Sequence, residues 1–144
     1  MELDSEAIAS TERGRGMTGA TLLLRQVHPS FVQNGRVTSQ AFRPTPKDES
    51  KLSVFDGDRT SPEASWLLYT ASWGLASVGT MAVTVDECGE AVLPIQPDPL
   101  PDCPEHCLID FSGFTNNECV KKSKKLQAKA ESRGWLFRTA NGPA

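Results

Sequence analysis

Apolar positions in this chain come in short runs punctuated by Gly, Pro, Asn and Asp. The first run, Thr21 to Val27, ends at His28-Pro29, and a residue before proline avoids the helical region, so this run reads as a buried strand. Asn34-Gly35 is a strong turn signal. Beyond it, Arg36 to Phe42 alternates as a half-buried strand does, which predicts a hairpin with the first run. Leu52 to Phe55 is a third short strand, closed by Asp56-Gly57. Val78 to Val85 is rich in β-branched residues and is the clearest strand of all. Ala91 to Ile95 adds a short one, and the prolines from Pro94 to Pro104 make an extended connector. Cys107 to Phe111 reads as a central strand and Trp135 to Phe137 as a closing one.

Two stretches carry helical periodicity. Ser61-Pro62-Glu63 is a helix start: a side chain for an orphan amide, a proline for the first helical position, a carboxylate for the positive end. Gly74 stops this helix after Trp73. Ala64, Leu67, Leu68 and Ala71 make one face, and Trp66, Tyr69 and Trp73 a second stripe that either fills the core or is shared with a partner. A helix apolar on two sides is sandwiched, and aromatics of this kind suit a partner surface. The second helix spans about 117–133, capped by Thr115 or Asn116 and stopped by Gly134, with a seam of Cys119, Ser123, Leu126 and Ala130. Strand runs and helices are segregated, so the expected class is α+β with a mostly antiparallel sheet.

Length and composition narrow the class further. The 144 residues make one domain, which excludes a multidomain enzyme or a long repeat array. Residues 1–20 hold too little apolar surface to order and read as a flexible tail, 21–138 as the domain, and 139–144 as a short C-terminal tail. A net charge of -3 opposes a protein that coats nucleic acid over its whole surface. No apolar run approaches the ~18 residues that cross a membrane. The start of the chain lacks the apolar centre of a signal peptide, so the expected compartment is the cytoplasm, with Cys88, Cys103, Cys107 and Cys119 as free thiols or metal ligands.

Candidate chemistry is sparse. Cys103, His106 and Cys107 place three zinc-compatible groups within five residues; the expectation is no cofactor, with zinc as the alternative. His28 and His106 are the only histidines. With Arg25, Arg36 or Arg43 to neutralise a phosphate, and Ser39 nearby, they would suit acid–base cleavage of a phosphodiester. Lys121, Lys122, Lys124 and Lys125 on the second helix would cover a face able to meet nucleic-acid phosphates, although lysine is also an ordinary residue for an exposed helical position.

Arg25 at the end of the first strand, followed by Thr38-Ser39, resembles the Arg and Ser-Thr-Ser elements of ADP-ribosyltransferases. That resemblance implies dinucleotide binding at Arg25 and Ser39; Glu87, Glu90 and Glu105 are available as the family's glutamate, none in its spacing. A broader resemblance, carried by Leu24 to Phe31, Thr38 to Pro44 and Leu52 to Val54, is to a family of small hypothetical bacterial proteins. It implies a bacterial cytosolic domain and no particular activity.

Two functions therefore stand as expectations. One is a non-catalytic interaction or accessory module of a larger bacterial system, such as a defence or toxin–antitoxin complex, binding a protein through Trp66, Tyr69 and Trp73. The other is a small enzyme acting on nucleotides or RNA, ribonuclease-like or ADP-ribosyltransferase-like, built on His28, Arg25, Ser39, Arg43 and His106.

Overall fold

The computed structural model describes residues 16–45 and 50–139. Its strands are β1 (Leu22–Val27), β2 (Val32–Gln33), β3 (Arg36–Val37), β4 (Lys51–Asp56), β5 (Gly79–Thr84), β6 (Ile95–Pro97), β7 (His106–Asp110) and β8 (Phe137–Arg138). The helices are α1 (Pro62–Leu67, continuing into a wider turn over Leu68–Ser72), α2 (Val85–Glu90) and α3 (Asn116–Arg133). Six strands form one antiparallel sheet in the order β6-β7-β4-β1-β5-β8, and β2 and β3 form a separate small hairpin. The class is α+β, as the segregation of strand and helix patterns predicts.

Side-chain alternation divides the sheet into two faces. Leu23 and Val27 of β1, Leu52 and Val54 of β4, Met81 and Val83 of β5, and Cys107 and Ile109 of β7 pack beneath Leu126 and Ala130 of α3. Leu24, Phe55 and Ala82 point the other way, onto Leu68, Tyr69 and Trp73 of α1 and onto Cys103. Helices therefore cover both faces, with apolar burial as the dominant stabilising term.

Helix starts follow the side-chain chemistry. Ser61 accepts from the Ala64 amide at 3.0 Å, and Pro62 occupies the first position of α1. Thr115 and Glu118 form a reciprocal capping box on α3, and Thr84 and Glu87 form another on α2. Gln26, buried in β1, donates to Ser65 Oγ at 2.9 Å and to Thr80 Oγ1 at 3.0 Å, which seats the start of α1 on the sheet.

Several expectations are corrected. The first run does not pair with Arg36–Phe42: β1 lies between β4 and β5, while Asn34 and Gly35, both at positive φ, close the small β2-β3 hairpin. Pairing of β3 ends at Val37, because the amide and hydroxyl of Thr38 both bond to the Phe31 carbonyl and Ser39–Phe42 turns inward to bury Ala41 and Phe42. Val85 begins α2 rather than ending a strand, and Ala91 closes that helix, so the following strand starts only at Ile95. The last strand is Phe137–Arg138. Gly79 sits opposite it, where a Cβ would lie 2.4 Å from the Phe137 carbonyl oxygen.

Of the predicted N-terminal tail, residues 1–15 lie outside the described residues. Met17 packs against the core, and the Thr18 amide donates to Thr21 Oγ1 at 2.9 Å. At the other end, residues 140–144 lie outside the described residues, and the Thr139 amide donates to the Val78 carbonyl at 3.0 Å.

Candidate functional site

The register of β4 against β7 sets Phe55 opposite His106 and Ser53 opposite Leu108. Ser53 and His106 are thus diagonal neighbours on the α1 face. The Ser53 hydroxyl hydrogen-bonds to Nε2 of His106. On the far side of the ring, Nδ1 meets the backbone oxygen of Asp98 at 3.1 Å and its carboxylate Oδ2 at 3.0 Å. Asp98 follows β6 and is tied to β7 by its amide, which donates to the His106 carbonyl at 2.9 Å.

These partners fix the tautomer. Nδ1 faces two acceptors, so the neutral ring carries its proton there, and Nε2 presents a lone pair to the serine hydroxyl. A hydroxyl donates to an imidazole that is itself oriented by a carboxylate, the arrangement that activates a nucleophile. His106 is 6% exposed and packed edge-on by Phe55 and Trp73, with ring centroids at 5.7 and 6.2 Å. Trp73 is held in turn by its indole N–H, which donates to Asp102 at 2.8 Å, and the tilted Tyr69 ring lies beside it at 6.1 Å. Ser53 is half-buried.

Charge around this centre is acidic. Asp98 and Asp102 contact the histidine and the tryptophan, while Asp56, Asp58 and Glu105 interact at the adjacent end of β4, with Arg59 as a counter-charge. Burial, together with the like charges of Asp58 and Glu105, raises the Asp56 carboxyl above its ordinary value, against the Asp58 amide bond and Arg59.

The residues singled out from sequence separate. His28 caps the short turn Pro29–Phe31, exposed, with its Nδ1 accepting from the Ser30 amide at 3.0 Å. Strand spacings put it about 13 Å along and about 10 Å across from the level of His106. The expected acid–base pair of histidines is therefore not assembled. Arg25 is on the α3 face, donating to the Ala41 carbonyl at 2.7 Å and the Ser53 carbonyl at 3.0 Å. Ser39 opens the turn that leads to Arg43, and Arg43 lines a cleft beside α3.

The expected zinc ligands do not converge either. His106 and Cys107 are consecutive in a strand and point to opposite faces, Cys107 into the α3-side core and Cys103 into the α1-side cluster. Among the described residues, no group of three or more His, Cys, Asp and Glu side chains could hold a metal ion. Burial pushes the thiols of Cys88, Cys103 and Cys107 up to about 12.

The two stripes of α1 separate, the aromatic one turning to the sheet. Trp66, Tyr69 and Trp73 are half-buried against the sheet, Trp66 donating to the Ser77 carbonyl at 2.9 Å and packing on Phe137. Ala64, Leu67 and Ala71 of the other stripe face outward, and Leu68 is packed. On α3, Lys121, Lys124 and Lys125 are exposed, while Lys122 reaches the Ala91 carbonyl and lies over the Phe114 ring at 4.1 Å.

Ser53 and Asp98 carry no signal in sequence, because their relation to His106 comes from strand register and from the return of the chain after β6. No helix among the described residues is long and apolar enough to cross a membrane. No family model, curated protein or solved structure matches the chain.

Proposed function

We propose that this protein is a small hydrolase of carboxylic esters or related acyl groups, with Ser53 as nucleophile, His106 as general base and Asp98 as the carboxylate that orients it. The observation that carries this reading is the engagement of both ring nitrogens of His106, one by a hydroxyl and the other by a carboxylate. As the Ser53 oxygen bonds to the acyl carbon, its proton passes to Nε2 of His106. The imidazolium that forms is stabilised by the Asp98 carboxylate at 3.0 Å. Nε2 then returns the proton to the departing alkoxide, leaving an acyl group on Ser53. Water, deprotonated by the same nitrogen, attacks that acyl group and frees the acid and the serine.

The surroundings narrow the substrate. Asp98 beside the His106 ring and Asp102 on the Trp73 indole repel a phosphate, which weighs against the nucleotides and RNA expected from the sequence. Tyr69 and Trp73, half-buried, supply apolar ring surface, so a neutral or cationic ester fits better. The test is p-nitrophenyl acetate and butyrate hydrolysis together with labelling by a fluorophosphonate. Ser53→Ala and His106→Ala should each lose about 10³-fold or more in rate, with circular dichroism unchanged, and the label should map to Ser53. Wild-type rates in Ser53→Ala, or a label that maps elsewhere, would sink the assignment.

A second reading keeps the accessory module and moves its surface. Leu67 and Leu75 are each 48% exposed, with exposed Ala64 and Ala71 on the same helix. Outward apolar groups of this kind favour a protein contact. Leu67→Glu with Leu75→Glu should abolish any concentration-dependent association seen by sedimentation; an unchanged profile, or no association at all, rejects self-association through this surface.

A further inference from the structure

On the sheet face opposite His106, the turn Ser39–Phe42 and the first turns of α3 enclose an open cleft of about 770 Å³. We propose that this cleft binds a flat aromatic compound bearing one anionic group, a carboxylate or a phosphate. The volume lies within the range of small-molecule sites, roughly 300–1,000 Å³.

Its lining divides by chemistry. Phe31 and Phe114 give ring surface over the buried Phe111, and Gln40 and Asn116 give side-chain amides able to donate and accept. Arg43 gives the charge: half-buried, its guanidinium makes no hydrogen bond or ion pair with another described side chain. A planar guanidinium presents a fork of N–H donors that matches a carboxylate or phosphate edge. Asn116 is the first residue of the 18-residue helix α3, whose end is closed by the Thr115–Glu118 capping box. One cation, an apolar body and two amides together select for a compound that is aromatic and anionic at once. This inference is independent of the hydrolase reading, since none of these residues touches Ser53, His106 or Asp98 in the contacts described above.

Cys119 lines the cleft and is the least buried of the four thiols, so its alkylation reports occupancy. The probes are 2-naphthyl phosphate and 2-naphthoate, with 2-naphthol and inorganic phosphate as controls. Iodoacetamide modification of Cys119 is followed by peptide mapping on the intact protein. At least one naphthyl acid should protect saturably, at least tenfold better than either control, and Arg43→Gln should remove the difference. Which acid protects better separates a phosphate from a carboxylate ligand. Protection by 2-naphthol equal to that by the acids, protection unchanged in a folded Arg43→Gln variant, or no protection by either acid would each overturn the proposal. Should Arg43→Gln fail to fold, the wild-type comparison of acids with 2-naphthol decides alone.

Discussion

The Arg25 guanidinium donates to the Ser53 carbonyl at 3.0 Å, at the point where registered pairing of β1 with β4 stops at Leu24 and Phe55. Its Nε also donates to the Ala41 carbonyl at 2.7 Å. One side chain thus joins β1, β4 and the Ser39–Phe42 turn, and holds the strand that carries Ser53. Arg25→Ala leaves two carbonyls without this partner and should cost about 2 kcal/mol or more in urea unfolding. Arg25→Lys should recover only part, because an ammonium cannot span both acceptors as the fork does. Full stability in Arg25→Lys would show that charge alone suffices.

Two carboxylates, Glu87 and Asp56, should respond to pH with opposite sign. Burial raises Glu87, but the hydrogen bonds from Arg133 and the Thr84 amide, with the charges of Arg133 and Lys129, outweigh it and leave the carboxyl below its ordinary 4.5. Its stabilisation is therefore present above 4.5 and is lost as pH falls through the lower folded value. Glu87→Gln should be destabilised at pH 7 by about 1–2 kcal/mol, given that the Arg133 pair is partly exposed, and the difference should shrink in acid. Asp56 is raised above 3.8, chiefly by burial, so its favourable contribution is present below that value and lost as pH rises through the folded one. Asp56→Asn should match the wild type at pH 3 and unfold at higher urea at pH 7. Parallel pH profiles for the two variants would contradict both assignments.

Thiol reactivity gives a separate check on the core. With pKa values near 12, Cys88, Cys103 and Cys107 hold roughly one thiolate in 10⁴ at pH 8, and all three are buried. Native protein should release at most one equivalent of thionitrobenzoate from Ellman's reagent, slowly, through Cys119; denatured protein should release four. A rapid second equivalent would place one of the other three outside the core.

Val92 takes φ of 59° although β-branched, and it is 65% exposed. A side chain of this shape is strained in the left-handed region by about 1–3 kcal/mol, and here little burial offsets the strain. Val92→Asn or Val92→Gly should raise the thermal midpoint. A lower midpoint in both would mean that the valine makes a contact that outweighs its backbone strain.

How far these features were readable depends on the range of the interactions behind them. Local chemistry was legible: Ser61-Pro62 and Thr115-Glu118 mark helix starts because a cap acts within one turn, and Thr84-Glu87 carried the same signal, obscured by the β-branched run before it. The seam of Ser123, Leu126 and Ala130 followed from helical spacing and is buried. The direction of α1 was not legible, since two apolar stripes satisfy the same periodicity and only the sheet beneath chooses between them. Ser53 and Asp98 lie 53 and 8 residues from His106, and strand order, which no local pattern encodes, brings them to its two nitrogens.

The two outer strands of the main sheet have a consequence for solubility. β8 is two residues long, and β6 is three and ends at Pro97, which has no amide hydrogen to offer a neighbour. Neither margin presents the long row of free peptide groups on which another chain extends a sheet. Concentrated solutions should accordingly resist fibril growth, and any association must proceed through side chains instead of by lengthening the sheet.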